Sequence, residues 1–294
     1  MSANRVLELF GYSTRLTKGI RWSEIIQKQL CPFTNSKCFK VRKSQPEISI
    51  GTCTVRYGRD KKDIIICPNR LLERKQVFTD CIHLLSLHEP GDEFHIIPEV
   101  SVPGGSIDYF LTSVKRGKVK DFVAVEFQTL DSTGTVWPER QRLLREKGVS
   151  VPDEDVNIAK SFGMNWRMTA KTILVQLHHK IQTFEHFNKH LVLIVQNYFF
   201  DYLRREFNFG HLQTARLGDP MHIHSYSLKC TDKNFQLELE SRHSTDSAGI
   251  AECLGLQAES KVKLEIIIAE LEKRVSANTL LSLPISPSAQ MPSK

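Results

Sequence analysis

Two carboxylates and one amide stand within apolar segments that alternate like β-strands. Side chains alternate between the two faces of a strand, so along residues 122–130 Glu126 and Gln128 project from the same side. Asp108 opens the preceding apolar segment, and an antiparallel hairpin would bring it close to Glu126. A carboxylate on so apolar a strand is costly to bury unless something compensates its charge. Two converging carboxylates would bind a hard, oxygen-seeking cation such as Mg²⁺.

The order of these three residues is similar to the nuclease core written PD-(D/E)xK, with Gln128 standing where that pattern has lysine. This spacing is common by chance in chains of this length. From spacing alone, an exposed aspartate in a turn and a glutamate at a sheet edge are the alternative. Glu99, in Pro98-Glu99-Val100, is a candidate extra carboxylate behind the metal ligands, with a solvated surface residue as its alternative.

Four of the seven cysteines cluster near the start of the chain, and they are Cys31, Cys38, Cys53 and Cys67. Six, fourteen and thirteen residues separate them in turn, which would let four thiolates converge on one tetrahedral ion. A reducing cytosol disfavours disulfides, so metal ligation is the first interpretation. Four thiolates suit iron and zinc equally, and four buried structural cysteines are the alternative.

Strands and helices alternate along the rest of the chain, which predicts an α/β fold. Strands are predicted from apolar alternation and bounding Pro or Gly at 94–97, 107–114, 122–130, 191–195 and within 221–239. Helices are predicted from apolar spacing at 166–184, with Asn165 as cap, at 198–206 and at 261–275. The stretch 131–157 is rich in Gly, Pro and charge and is expected to be a functional loop.

The cysteine segment and its flanking residues resemble the N-terminal motif of the NotI and EagI restriction endonuclease family. The motif reads Cys31-Pro32-Phe33, Cys38, Gly51-Thr52-Cys53 and Ile66-Cys67-Pro68-Asn69-Arg70. In that family the cysteines precede a strand with Glu-x-Gln and an upstream aspartate, and Glu126, Gln128 and Asp108 match both features. The resemblance covers about residues 7 to 230.

This resemblance implies a PD-(D/E)xK restriction-endonuclease-like α/β core, a mixed central sheet flanked by helices, with a small four-cysteine metal-binding module at the N-terminus. The implied domains are the module at 1–85, the endonuclease core at 86–230, further strand and helix elements at 231–282, and a disordered tail at 283–294. The implied function is that of a type II restriction endonuclease, which hydrolyses phosphodiester bonds in double-stranded DNA.

In the implied reaction Asp108 and Glu126 bind one or two Mg²⁺ ions, which neutralise the scissile phosphate and lower the pKa of a bound water. Gln128 would orient that water or reach the metal through its amide oxygen, although it cannot supply the charge of a lysine. The cysteine site would hold structural Fe or Zn, and the family's site is described as iron bound in a rubredoxin-like manner.

A formal charge of +7 and a pI near 9.0 suit a polyanionic partner such as DNA. The resemblance implies a homodimer that cuts a G·C-rich palindrome containing GGCC, and a DNA methyltransferase acting on the same site. No apolar run approaches the roughly 18 residues of a membrane span, and the first residues lack a signal-peptide core. A cytoplasmic location without membrane contact is therefore expected.

Arginines that could read guanine in the major groove are Arg140, Arg142, Arg145, Arg204, Arg205 and Arg216. Each of them could equally contact phosphate or solvent. The histidines at 178, 179, 186, 190, 222 and 224 lack a carboxylate or thiol at clear ligand spacing, and ordinary helix or strand positions are expected.

Two other functions compete with restriction. One is a non-cleaving DNA-binding protein on a nuclease fold, against which the intact Asp108, Glu126 and Gln128 set argues. The other is an RNA-binding or ribonuclease module, whose expected aromatic platforms are not evident in the sequence.

Overall fold

The computed structural model describes residues 5–16, 19–102, 105–159, 162–231 and 234–255, together with 268 and 272–273. The chain divides into two units, residues 1–256 and residues 257–294. The predicted helix at 261–275, apart from those three positions, and the predicted tail lie outside the described residues. No helix in the described ranges is long and apolar enough to cross a membrane.

The first unit contains both strands and helices. The strands are β1 (Val6–Leu9), β2 (Tyr12–Ser13), β3 (Leu30–Cys31), β4 (Ser36–Lys37), β5 (Val41–Arg42), β6 (Gln45–Ser49), β7 (Thr52–Tyr57), β8 (Lys62–Ile65), β9 (Glu93–Val102), β10 (Gly105–Lys115), β11 (Lys118–Gln128), β12 (Ser132–Thr133), β13 (Gly163–Met164), β14 (His190–Gln196), β15 (Gln213–Thr214), β16 (Met221–Thr231) and β17 (Asn234–Thr245). The α-helices are α1 (Trp22–Lys28), α2 (Gln76–Thr79), α3 (Trp137–Glu146), α4 (Asp153–Val156), α5 (Trp166–His186), α6 (Asn197–Glu206) and α7 (Ser247–Cys253). Two 3₁₀ segments span Pro68–Lys75 and Ile82–Leu84.

A seven-stranded mixed sheet, in the order β15-β17-β16-β14-β11-β10-β9, forms the centre of this unit. β9, β10 and β11 form an antiparallel meander, whereas β11, β14 and β16 run parallel to one another. Parallel strands at the centre of a sheet are buried on both faces and therefore read as continuous apolar runs. β14 shows this, because every residue from Leu191 to Gln196 is buried.

The two faces of the sheet pack against different elements. On one face Ala124, Leu191 and Leu193 join the apolar residues of α5, α6 and α7 in one core. On the other face Val125 and Val192 pack against the 3₁₀ segments and α2. This mixed sheet with helices confirms the predicted α/β class, while the PD-(D/E)xK assignment and the domain boundaries remain predictions.

The first 85 residues add smaller sheets to this framework. β2, β1, β7 and β8 form a four-stranded antiparallel sheet, and β3 pairs with β4 and β5 with β6. A third apolar core joins these residues to α3 through Leu143 and Leu144.

The predicted functional loop at 131–157 is wrong, because this stretch contains β12, α3 and α4. Trp137 and Pro138 open α3, where a proline is tolerated because its missing N–H has no helical partner. Asn165 does precede α5 as predicted, but its side chain makes no capping hydrogen bond. Loop-forming composition therefore hid two short helices.

Arg70, the last residue of the cysteine motif, ties three elements together. Its guanidinium is 1% exposed and lies 2.8 Å from Glu8 in β1. It also contacts Glu73 at 3.0 Å and donates to the main-chain oxygen of Phe235 in β17 at 3.0 Å. A buried charge keeps its place only when it is paired and hydrogen-bonded, and Arg70 satisfies both conditions.

Replacing Arg70 by methionine is expected to lower the free energy of unfolding by about 3–5 kcal/mol, because Glu8 is left buried without its partner. Adding Glu8→Gln to Arg70→Met should restore part of the loss, since the orphaned charge is then removed. Urea unfolding followed by circular dichroism measures both. A loss below about 1 kcal/mol in the single variant would contradict this role.

Two histidines of β16 are fully buried. His222 and His224 have no exposed surface, and their rings lie 6.3 Å apart. Burial lowers the pKa of His222 to about 4 and that of His224 to about 3, with Arg242 adding to the second shift. A base whose folded pKa lies below its unfolded value stabilises the protein fully above about pH 6.5 and loses this contribution as the pH falls.

The free energy of unfolding should therefore fall between pH 6.5 and pH 4.5. His224→Gln removes one titrating group and should reduce this fall by roughly 2–3 kcal/mol, although it also alters packing at every pH. His186→Gln, on the exposed side of α5, is the matched control and should leave the slope unchanged. Equal pH slopes in wild type and His224→Gln would contradict the buried neutral state.

Candidate active site and cysteine cluster

The β10–β11 hairpin brings the two candidate carboxylates together. The strands pair with Tyr109 opposite Val125, so Asp108 lies one residue beyond the end of the paired segment. There the Asp108 Oδ2 accepts a hydrogen bond from the main-chain N–H of Phe127 at 2.8 Å. Glu126 lies on the face of the sheet that α5 covers, and Asp108 lies half-buried beside it, at the end of the paired segment.

The two carboxyl groups lie close enough to shift each other's pKa. Glu126 is only 5% exposed, and burial raises its pKa to about 7, with the charge of Asp108 adding to the shift. Burial also raises the pKa of Asp108. Two carboxyl groups so close together repel each other when both are ionised, and a bound cation would relieve that repulsion. The pair therefore has the electrostatic character of a cation site.

A lysine from α5 completes this cluster, and the sequence analysis missed it. Lys180 Nζ lies 2.6 Å from Glu126 Oε1 and donates to the main-chain oxygen of Ser106 at 2.7 Å. The sequence held a signal, because Lys180 falls on the apolar side of α5 between Leu177 and Phe184. A lysine in such a row needs a buried partner.

Gln128 and Glu99 lie at the edge of the carboxylate pair. Gln128 is partly exposed, and its Nε2 donates to the main-chain oxygen of Thr129 at 2.6 Å. Glu99 is exposed in β9, and its charge raises the pKa of Asp108 further. Its φ of 51° is uncommon for a residue with a side chain, and such backbone conformations concentrate at functional sites.

An open pocket of about 370 Å³ reaches Asp108 from the surface. Its lining comes from the central sheet and from the cysteine segment: Glu99, Asp108, Tyr109, Phe127, Phe39, Pro68 and Asn69. The last three residues stand next to Cys38 or Cys67. The cysteine segment therefore forms one wall of the pocket that Asp108 borders.

All four clustered cysteines are buried. The Cys53 thiol is hydrogen-bonded to Cys67, and Cys38 lies close enough to Cys31 and Cys67 for their charges to interact. That hydrogen bond, with the nearby Lys40 ammonium and two main-chain N–H groups, lowers the pKa of Cys67 to about 7.

Gly51 explains why the motif reads Gly-Thr-Cys before Cys53. Its φ is +69°, and a Cβ at this position would lie 2.4 Å from the ring of Phe10. Only glycine meets both conditions without a shift of the chain.

The described residues contain no group of three or more His, Cys, Asp or Glu side chains arranged to hold a metal ion. The cysteines supply the thiol ligands that Fe and Zn take, but within the described residues they do not gather into a metal-binding group. Asp108 and Glu126 supply two oxygen ligands, which is the number of carboxylates that Mg²⁺ commonly takes from a protein. The donor set fits Mg²⁺ in chemistry, and the Fe or Zn site remains a prediction.

The structure corrects one candidate for base recognition. Arg140 is 2% exposed and donates to the main-chain oxygen of Ile50 at 2.8 Å, so its guanidinium holds α3 to the cysteine segment. Arg145 pairs with Asp153 on the surface. The candidates Arg204, Arg205 and Arg216 are exposed.

A protein-family model described as Restriction endonuclease NotI matches residues 19–219, which is more than half of the chain. The matched range contains the four clustered cysteines as well as Asp108, Glu126 and Gln128. A comparison with curated proteins gave no match. The chain therefore belongs to the NotI restriction endonuclease family and is a type II site-specific deoxyribonuclease that acts on double-stranded DNA.

Proposed function

We propose that Asp108 and Glu126 form the catalytic centre of this endonuclease and bind Mg²⁺. The observation that carries the proposal is the geometry of the β10–β11 hairpin, which holds Asp108 on the main-chain N–H of Phe127, directly beside Glu126, at an open pocket that Asp108 lines. Two neighbouring carboxyl groups, Glu126 buried and Asp108 half-buried, favour the binding of a cation that offsets their charge.

The residues of the chain then have separate tasks. The main-chain N–H of Phe127 fixes Asp108, and the hairpin register holds Glu126 beside it. Gln128, whose amide oxygen is not engaged by its bond to Thr129, would orient the attacking water. The chemistry that a bound Mg²⁺ supplies is neutralisation of the scissile phosphate and a lower pKa for that water. Glu99 would add a further carboxylate at the rim of the pocket.

Glu126→Gln keeps the volume of the side chain and removes its charge. Cleavage of plasmid DNA with Mg²⁺ should fall by roughly 10³-fold or more, because several kcal/mol of charge stabilisation are lost. Binding of duplex DNA, measured by fluorescence anisotropy at fixed salt, should persist. Glu185→Gln, on the exposed side of α5, is the control and should cleave like wild type.

If Glu126→Gln cleaved DNA at the wild-type rate, the proposed catalytic role of Glu126 would be wrong. Failure of the wild-type protein to cleave any duplex with Mg²⁺, despite binding it, would instead support the non-cleaving DNA-binding alternative.

We also propose that Cys31, Cys38, Cys53 and Cys67 hold a structural Fe or Zn ion. Their burial, their mutual contacts and the motif that contains them support this. The metal would stabilise a segment whose own sheets are short, as metal cross-links do in other small modules.

Elemental analysis of the purified protein should find about one Fe or Zn per chain. Cys67→Ser should lose the metal and unfold at a lower temperature, because metal binding contributes to folding. Cys230→Ser, at the exposed cysteine outside the cluster, is the control and should keep both properties. Wild-type protein free of Fe and Zn would contradict the proposal.

The recognition site is proposed to be a G·C-rich palindrome containing GGCC, read by a homodimer, because a two-fold symmetric protein matches a palindromic duplex. A methyltransferase acting on the same site would protect cellular DNA, and we infer a cytoplasmic location from this substrate. Sequencing the ends of cleaved fragments, together with sedimentation of the protein on DNA, tests the site and the dimer.

A further inference from the structure

The lysine on the apolar side of α5 stands out because of where it lies. Lys180 is 6% exposed, and the neighbouring positions on that side of the helix, Leu177, Ile181 and Phe184, are apolar and buried. Burying an ammonium group costs free energy that a leucine or methionine would not cost. Packing alone therefore does not explain a lysine at this position.

The partners of Lys180 all belong to the carboxylate site. Its Nζ lies 2.6 Å from Glu126 Oε1 and 2.7 Å from the Ser106 carbonyl, two residues before Asp108. Its stem passes close to Gly105, where a Cβ would lie 3.4 Å from Cε. Helix α5 thus places one positive charge beside Asp108 of β10 and Glu126 of β11.

Position 128 cannot provide that charge. Gln128 is neutral, and its amide nitrogen is bonded to the carbonyl of Thr129. A glutamate followed two residues later by lysine would carry acid and cation on one strand, whereas here the acid lies on β11 and the cation comes from α5. The cation and the acid meet through tertiary packing instead of through the strand.

We infer that Lys180 is a positioning residue of the cleavage site, which orients Glu126 and supplies the fixed positive charge that position 128 lacks. This inference rests on the proposed role of Asp108 and Glu126. Lys180 acts through Glu126 and is not assigned contact with DNA.

The same strand offers an internal comparison. Asp121, at the other end of β11, is also buried and pairs with Lys189 at 2.6 Å. That pair lies away from the pocket and also holds the N–H of Leu87. Breaking it tests what the loss of an ordinary buried ion pair does to the protein.

The experiment compares Lys180→Met, Lys180→Arg and the control Lys189→Met. Cleavage of an oligonucleotide duplex with saturating Mg²⁺ gives kcat and KM, and thermal unfolding reports folding. Lys180→Met should lower kcat by about 10²-fold at little change in KM. Lys180→Arg, which keeps the charge, should recover much of this, and Lys189→Met should lower the unfolding temperature while kcat stays near wild type.

A second readout does not depend on cleavage. Binding of duplex DNA in EDTA should weaken severalfold in Lys180→Met, because the phosphates then meet the carboxylates without the compensating ammonium. In the double variant Glu126→Gln/Lys180→Met the charge balance is that of the wild type, so binding should return to the wild-type level. Thermal unfolding of the same variants separates this charge effect from a loss of folding, because a structural role of Lys180 would weaken binding only in step with a lower unfolding temperature.

A kcat of Lys180→Met equal to that of wild type would overturn the inference about Lys180, and so would a double variant that binds no better than Lys180→Met. If Lys180→Met fails to fold, the kcat of Lys180→Arg and the DNA binding of the double variant decide whether Lys180 has this role. Wild-type cleavage by Glu126→Gln alone would instead overturn the proposed active site. The two failures are therefore distinguishable.

Discussion

Two neighbouring acids of one hairpin set the electrostatic requirement that the surrounding elements meet. Asp108 and Glu126 lie close together and burial raises the pKa of both, so both would resist ionisation without help. The N–H of Phe127 helps the first, and the ammonium of Lys180 helps the second. The central sheet fixes the distance between the acids, and α5 must pack at one register to bring its lysine to them.

The cysteine segment serves the same site from the other side. Arg70 anchors it to β1 and β17 through buried contacts, and Gly51 lets the chain pass close to Phe10. Anchored in this way, the segment presents Phe39 and Asn69 at the pocket that reaches Asp108. Whatever metal the cysteines bind, the residues that flank them build a wall of the candidate active site.

Local patterns in the sequence predicted the elements that depend on local rules. The alternation of apolar and polar residues placed Glu126 on the same face of β11 as Ala124, which packs against α5. The apolar run at 191–195 predicted β14. The same patterns failed where packing decides. Gly, Pro and charge at 131–157 suggested a loop, but Leu143 and Leu144 bury α3 against the first strands. The spacing of the four cysteines predicted that they converge on one ion, but the described residues show no metal-binding group, because thiol spacing does not specify the geometry that a metal needs.

Lys180 shows most clearly what local sequence patterns cannot predict, since its partner Glu126 lies on a different element, 54 residues earlier in the chain. An isolated lysine in an apolar helical row marks a buried charge, but the sequence does not name the acid that neutralises it. The histidines of β16 are similar, because their low pKa values arise from tertiary burial that no local pattern encodes.

The most direct measurement is the position of Mn²⁺, a substitute for Mg²⁺ with usable anomalous scattering, in crystals of the protein with duplex DNA. The expected result is an anomalous peak in contact with the carboxylate oxygens of Asp108 and Glu126, beside a phosphate of the DNA. A peak bound by other residues, with these two carboxyl groups free of metal, would contradict the central claim.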